Sequence, residues 1–254
     1  MRALMAAAVL TASLAMVDTG AAEAALACAS VPVVAHRGET SRGTENTTKA
    51  VLAAWANGAG AEVDLRTTRT GRVMLMHDAT VTRTTNGAGR VAELSARKIR
   101  TFRTNDGQQV PFAGATLRRL RDTPGARIVL DLKALTGPAQ DMLATRIANL
   151  GIANRVSAIS FYPALLAGFR KRNPGVDTMF IDSRLPTVTR AASYGGVAVY
   201  GHLITPQWAS AMRARKVPFS LRMANDRSAW NAAGSYAVEF AITDRADAMR
   251  AHCA

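Results

Sequence analysis

The chain has 254 residues, 48% of them hydrophobic and 20% charged, a balance that supplies the core of one globular domain and excludes disordered and collagen-like classes. Its 32 Lys and Arg against 18 Asp and Glu give a formal charge of +14, with all but five of the basic residues arginine. The molecule therefore attracts anions without composition naming one. No helix-turn-helix, zinc-finger or aromatic RNA-binding pattern accompanies the charge, which argues against nucleic acid as a partner.

Residues 1–27 read as a secretory signal. Arg2 is the basic end, Ala3 to Met16 the apolar run, and Ala22-Glu23-Ala24 or Ala25-Leu26-Ala27 a small-residue cleavage site. The apolar run, about 14 residues, is too short to span a bilayer. The expectation is an exported, extracellular protein whose working domain is 28–254, with no transmembrane segment in that domain and a charge of +15 once the signal's Arg2, Asp18 and Glu23 are removed. Cys28 and Cys253 are the only cysteines, and in an oxidising compartment they are expected to form a disulfide closing the domain. A lipid-modified Cys28 and two unrelated thiols are the alternative readings.

Val31 to Ala35 reads as a strand, and Glu45-Asn46-Thr47-Thr48 opens a helix that Asn46 or Thr47 can cap and that ends at Gly58–Gly60. Strands follow at 61–65 and 73–76. Residues 78–126 are the least periodic stretch and are expected to form an elaborated loop on one rim. A strand at 127–132, a helix at 138–150, a strand at 156–159 and a helix at 163–172 come next. Strands near 177–181, 197–201, 217–222 and 237–242 then alternate with further helices. This rhythm predicts a parallel sheet covered by helices. Nine strands are one more than an eight-stranded barrel needs, and 197–201, short and flanked by glycine, is the weakest of them.

The chemistry gathers at strand ends. His36-Arg37-Gly38 closes the first strand, Glu62 and Asp64 share a face of the second, His77-Asp78 ends the third, and Asp131 and Lys133 share a face of the next. In a parallel barrel those ends lie on one rim, where active sites are built. Two imidazoles, three carboxylates, an Arg and a Lys in one mouth suit metal-assisted phosphoryl transfer, and oxygen ligands favour Mg²⁺ or Ca²⁺.

These stretches, together with Glu45-Asn46-Thr47, Ala79-Thr80, Arg83-Thr84-Thr85-Asn86-Gly87, Ser160-Phe161 and Thr243-Asp244-Arg245, run in order from residue 31 to about 250. They resemble the glycerophosphodiester phosphodiesterase family. The resemblance implies a single α/β domain, a (β/α)₈ TIM barrel, whose catalytic pair is His36 and His77. Arg37 and Lys133 would bind the substrate phosphate, and Glu62, Asp64 and Asp131 a divalent metal, Mg²⁺ or Ca²⁺. Glu45, Asn46, Ser160 and Arg222 are expected around the pocket. One histidine acts as base and the other as acid; His77 is taken as the base, although the reverse satisfies the sequence equally. A cyclic phosphate, formed by internal hydroxyl attack, is the alternative product.

Two departures from the family pattern stand out. Asp131 occupies a position where the family usually carries Glu. Arg222-Met223-Ala224-Asn225 stands where the family shows Trp-Thr-Val-Asn, which turns an apolar wall cationic and predicts a more anionic substrate or a different headgroup.

Several features have blander readings. Asp78 either orients His77 or starts a turn. His202 and His252 lie outside every motif. The clusters at 97–103, 118–121, 170–172 and 213–216 read mostly as solvated helix faces, with peripheral contact to anionic lipid or wall polymer as the alternative. A catalytically quiet barrel that binds anionic polymer is the competing function, and the retention of His36, His77, Glu62 and Asp64 argues against it. The expected substrate is a small or lipid-derived phosphodiester.

Overall fold

In the computed structural model, residues 28–254 are described, and the expected export signal lies outside them. Nine strands pair in one sheet: β1 (Val33–Ala35), β2 (Gly60–Thr67), β3 (Val73–Leu75), β4 (Ile128–Ala134), β5 (Val156–Ser160), β6 (Asp177–Ile181), β7 (Val197–Tyr200), β8 (Phe219–Arg222) and β9 (Ala241–Thr243). All but β3 are parallel, and β1 pairs with both β2 and β9, so eight strands close into a barrel. The helices are α1 (Thr48–Ala56), α2 (Ala96–Ile99), α3 (Ala113–Asp122), α4 (Gly137–Leu150), α5 (Pro163–Arg172), α6 (Val188–Ser193), α7 (Pro206–Ala214), α8 (Arg227–Ser235) and α9 (Ala246–His252). This is the (β/α)₈ architecture expected from the alternation.

Period-two alternation sorts the strand side chains. Ala61, Val63 and Leu65 of β2 and Ile128, Leu130 and Leu132 of β4 pack outward in the main apolar cluster with the helices. That leaves Glu62, Asp64, Asp131 and Lys133 to the barrel interior. The interior below them is filled by Val34, Val129, Ile159, Met179, Ile181, Ala198, Phe240 and Ile242. A carboxylate layer thus caps an apolar plug, as expected of a barrel whose C-terminal rim carries the chemistry.

The structure corrects three expectations. The weakest strand, near 197–201, is a full barrel member paired with β6 and β8. Its glycine flank is a packing requirement, since a Cβ on Gly196 (φ 157°) would lie 2.7 Å from the Pro218 carbonyl oxygen. The supernumerary strand is β3, which runs antiparallel along the end of β2 with Leu65 opposite Leu75 and Thr67 opposite Val73. His77 therefore does not sit at the end of a barrel strand; the antiparallel return brings it back to the rim, with the Met76 N–H bonded to the Asp64 carbonyl at 2.9 Å.

The third correction concerns 78–126, which is not wholly a loop. Residues 113–122 form α3, one of the helices around the barrel, burying Ala113, Thr116, Leu117 and Leu120. The preceding segment folds over a small core of its own, made of Met74, Met76, Val81, Val91, Ala96, Ile99 and Val110. Arg97, Arg118, Arg170 and Arg213 lie in α2, α3, α5 and α7, and they and their basic neighbours in or just after those helices are largely exposed, distributed around the barrel.

Cys28 and Cys253 are joined by a disulfide, with Cα atoms 5.3 Å apart across 225 residues of sequence. The bond ties the segment before β1 to the end of α9. No helix among the described residues is long and apolar enough to cross a membrane.

Candidate active site

The mouth of the barrel is organised around three buried carboxylates. Glu62, Asp64 and Asp131 present ligand atoms within 4.8 Å of one another. Each also keeps one oxygen without a hydrogen bond: Glu62 Oε1, Asp64 Oδ1 and Asp131 Oδ1. The other contacts fix the cluster. The Arg37 backbone N–H donates to Glu62 Oε2 at 2.8 Å. Asn46 grips Asp64 twice, its Nδ2 donating to Oδ2 at 2.8 Å and its Oδ1 accepting the Asp64 N–H at 2.9 Å. Lys133 Nζ lies 2.6 Å from Asp131 Oδ2 and 3.2 Å from Asp64 Oδ1.

Burial, with Asp64 and Asp131 alongside, pushes Glu62 well above the usual carboxylate range. Burial also raises Asp131 in spite of Lys133. Lys133 loses solvation, yet Asp131 and Asp64 hold it above the ordinary lysine value. Three buried carboxylates that crowd one another, with Glu62 Oε1 and Asp131 Oδ1 unpartnered and Asp64 Oδ1 facing only Lys133, form a donor set that fits a hard divalent cation.

The loop after β1 shapes one wall at a conformational cost. Arg37 (φ 60°) and Asn46 (φ 57°) are both left-handed without being glycine, a conformation worth roughly 1–2 kcal/mol of strain for an L-residue. Gly38 (φ 82°) allows the turn, because a Cβ there would lie 2.7 Å from the Ala50 carbonyl carbon. The Asn46 N–H bonds to the Arg37 carbonyl at 2.9 Å, coupling the two strained residues. Thr47, not Asn46, caps α1, its hydroxyl accepting from the Ala50 N–H. Buried Asn46 is committed to Asp64.

Each histidine is held by a carboxylate through Nδ1. His77 Nδ1 lies 2.8 Å from Asp78 Oδ1, and His36 Nδ1 lies 2.7 Å from Asp244 Oδ1. Arg83, together with His77 and against some burial, holds the Asp78 carboxyl at about 2. The bond from His36 likewise lowers Asp244. An ionised carboxylate only accepts, so each Nδ1 donates and the neutral ring carries its lone pair on Nε2. His36 Nε2 is 4.0 Å from Glu62 Oε2, which aims it at the carboxylate cluster.

An ionic lattice links these parts. Arg83 donates to Asp78 Oδ2 at 2.6 Å and holds Glu45 with two bonds of 2.7 and 2.8 Å. Glu45 also accepts from Arg37 Nη1 at 3.0 and 3.2 Å, and Arg37 Nε approaches Asp64 Oδ2 at 3.6 Å. His77 is thereby connected to the carboxylate cluster through Asp78, Arg83, Glu45 and Arg37. Burial works against the charge of Glu45, but Arg83 and Arg37 hold it below its ordinary value.

Of the expected site residues, His36, Arg37, Glu45, Asn46, Glu62, Asp64, His77, Asp131 and Lys133 converge on this mouth. Arg222 points into the barrel from β8, its guanidinium 4.8 Å from the Phe161 ring centre and 5.4 Å from that of Tyr200. Ser160 is fully buried, its hydroxyl donating to the Leu132 carbonyl and accepting from the Tyr162 N–H. It braces the β5–α5 connection that carries Phe161 and does not present its hydroxyl to the pocket.

Sequence reading gave no role to Asp244, Arg83, Arg66 or Asn225, and left Asp78 open between a turn and an orienting partner. Arg66 donates twice to the His77 carbonyl at 2.9 and 2.7 Å. Asn225 holds Asp244 through both its amide atoms, as Asn46 holds Asp64. The available signal was parity: Arg66 follows Glu62 and Asp64 on the inward face of β2, and Asp244 follows Ile242 of β9 in the same way. His252 lies outside the mouth, bonded to Asn231 at 2.8 Å, and His202 sits beside the Tyr200 ring.

The sequence pattern of the Glycerophosphoryl diester phosphodiesterase family matches residues 36–248. Glycerophosphodiester phosphodiesterase 1 of Bos taurus is 32% identical over 161 residues, covering 59% of this chain and 49% of that protein. The chain therefore spans about half the length of that relative. The crystal structure of a glycerophosphodiester phosphodiesterase from Agrobacterium tumefaciens superimposes with a TM-score of 0.77 at 24% identity, over 87% of this chain and 99% of that one. An Oleispira antarctica phosphodiesterase solved in complex with the product sn-glycerol-3-phosphate gives a TM-score of 0.75 at 17% identity, over 89% and 98%.

Proposed function

The chain belongs to the glycerophosphoryl diester phosphodiesterase family, and from that premise we propose that it hydrolyses glycerophosphodiesters to glycerol phosphate and an alcohol, using His36 and His77 as the acid–base pair. The observation that carries this reading is the conjunction at one mouth. Two imidazoles, each with Nδ1 committed to a carboxylate, flank three buried carboxylates that each keep an oxygen without a hydrogen bond.

Glu62, Asp64 and Asp131 are the residues that would hold a divalent metal, Mg²⁺ or Ca²⁺, which when bound polarises phosphoryl oxygens as a Lewis acid. Arg37 and Lys133 bring cationic donors to the same place and offset charge growing on the phosphoryl group. Nδ1 donation to Asp78 leaves the His77 Nε2 lone pair free to take a proton from the attacking water. His36, beside Glu62, acts as the acid in its doubly protonated form, giving its Nε2 proton to the departing alkoxide while Nδ1 stays bonded to Asp244. Arg83 keeps Asp78 ionised and Asn225 keeps Asp244 in place, so each ring keeps its Nδ1 proton while Nε2 gains or loses one.

Export is part of the proposal. The disulfide between Cys28 and Cys253 is of a kind that persists in oxidising compartments, which supports the reading of 1–27 as a secretory signal. The test is phosphorus NMR of the purified domain with glycerophosphocholine. Glycerol phosphate should appear with Mg²⁺ or Ca²⁺ and cease to form in EDTA. A cyclic phosphate as the accumulating product would replace water by the substrate's own hydroxyl as nucleophile, and absence of any turnover with either metal would refute the reading.

A further inference from the structure

Arg222 is the one cation of the mouth, among the described residues, with neither a hydrogen bond nor an ion pair. Arg37 has Glu45 and Asp64, Lys133 has Asp131 and Asp64, and Arg66 has the His77 carbonyl. Arg222 is 9% exposed, and its Nε and Nη1 have no partner. A guanidinium taken out of water with N–H donors unmet is costly, and such donors are ordinarily matched by an anion. What surrounds it is aromatic. Phe161 lies at 4.8 Å and Tyr200 at 5.4 Å, contacts that position the charge while leaving its in-plane donors open.

The location gives the open donors a meaning. The Phe161 ring that Arg222 approaches is also approached by Lys133 Nζ, at 5.7 Å. The two distances together place the Arg222 and Lys133 cations no more than about 10.5 Å apart, around one partly exposed ring. Lys133 is held by Asp131 and Asp64 of the carboxylate cluster, whereas Arg222 makes no hydrogen bond or ion pair with it and acts on Asp131 only through its field. A substrate phosphate beside Lys133 therefore leaves Arg222 within one short linker's reach and still unmatched.

We infer that Arg222 is a specificity-determining residue that binds a second anionic group, a phosphomonoester or a carboxylate, on the headgroup of the diester, with Phe161 and Tyr200 holding the guanidinium in place. The inference rests on the diesterase reading and names its substrate class: headgroups bearing negative charge are preferred over neutral ones of the same size. Arg supplies two parallel N–H donors suited to a carboxylate or phosphate edge. The gain expected from such a charge-assisted contact is about 10- to 100-fold.

Three matched diesters test it: glycerophosphoglycerol, its terminal phosphomonoester, and the analogue whose headgroup is glycerate. With Mg²⁺ or Ca²⁺ present, wild-type kcat/KM should favour an anionic headgroup over glycerophosphoglycerol by about 10- to 100-fold. The ratio should fall to near one in R222M and be partly retained in R222K. The phosphomonoester and glycerate arms show which anion the site takes. In parallel, calorimetry in EDTA measures binding of the same compounds without turnover, and the same ratio should appear there and vanish in R222M. Because Arg222 makes no hydrogen bond or ion pair, R222M should fold, with a urea midpoint no lower than wild type as the check. Equal losses on all three compounds in R222M, or no wild-type preference in either measurement, would overturn the inference. A binding preference without hydrolysis of any of the three would leave the anion site standing and remove the diesterase reading.

Discussion

Asn46 offers a sharp quantitative test of how the carboxylate cluster is built. It is 4% exposed and makes two hydrogen bonds with Asp64, one of them to a carboxylate oxygen, from a left-handed backbone. N46A removes a charge-assisted bond of about 1.5–3 kcal/mol and leaves the buried Asp64 N–H unmet at about 1–3 kcal/mol. It also places a β-carbon in a conformation that Asn tolerates and Ala does not, for about 1 kcal/mol. Discounting for overlap among these effects, N46A should lower metal-free stability by about 3–5 kcal/mol in urea unfolding. N46G, which removes the clamp without the backbone penalty, should recover about 1 kcal/mol of that loss. Both variants should weaken divalent-metal binding, measured by calorimetry, about 10- to 100-fold, because the carboxylate they leave is no longer aimed. Wild-type midpoints and metal affinity in both variants would refute the argument that Asn46 holds the cluster.

Three further outcomes are expected. D78N and D244N should each lower kcat about 10²- to 10³-fold with little change in KM, because the amide no longer enforces Nδ1 donation; loss confined to KM would contradict this. In EDTA, stability should fall as pH rises above about 4.5, since Glu62 and Asp131 are raised above their ordinary values of 4.5 and 3.8 and the folded state holds their protons more tightly than the unfolded chain. Saturating metal should flatten that slope, and E62Q should reduce it; the lowered carboxyls of Asp78 and Asp244 act in the opposite window, their contribution being lost only as pH falls below about 4. Replacing both cysteines by serine should cost on the order of 5 kcal/mol for a closed loop of this length, seen as a drop in Tm of roughly 10–20 °C, with kcat retained.

The sequence reading reached the site through parity. Glu62, Asp64, Asp131 and Lys133 stand two apart on strands whose other face is continuously apolar, so their convergence needed only a parallel barrel. What it missed was decided by contacts that local pattern does not encode. An apolar run of three reads alike in a parallel and an antiparallel strand, so β3 passed for a barrel member. Helix α3 begins at Phe112 with no side-chain cap and carries Arg118, Arg119 and Arg121, which masks the Ala113, Leu117 and Leu120 stripe. Asp244 meets His36 across 208 positions, and Arg83 meets Glu45 across 38. Pairing of β1 with β9 makes the first pair neighbours, and pairing of β2 with β1 and β3 the second.

The central claim, a two-histidine phosphodiesterase, is tested most directly by kcat/KM on glycerophosphoglycerol at saturating Mg²⁺ or Ca²⁺ for wild type, H36A, H77A and the double variant. Each single substitution should lose about 10²- to 10⁴-fold, and the double variant far less than the product of the two, because the histidines act on one transition state. Metal binding by calorimetry should be retained throughout. Wild-type activity in either single variant would contradict the account.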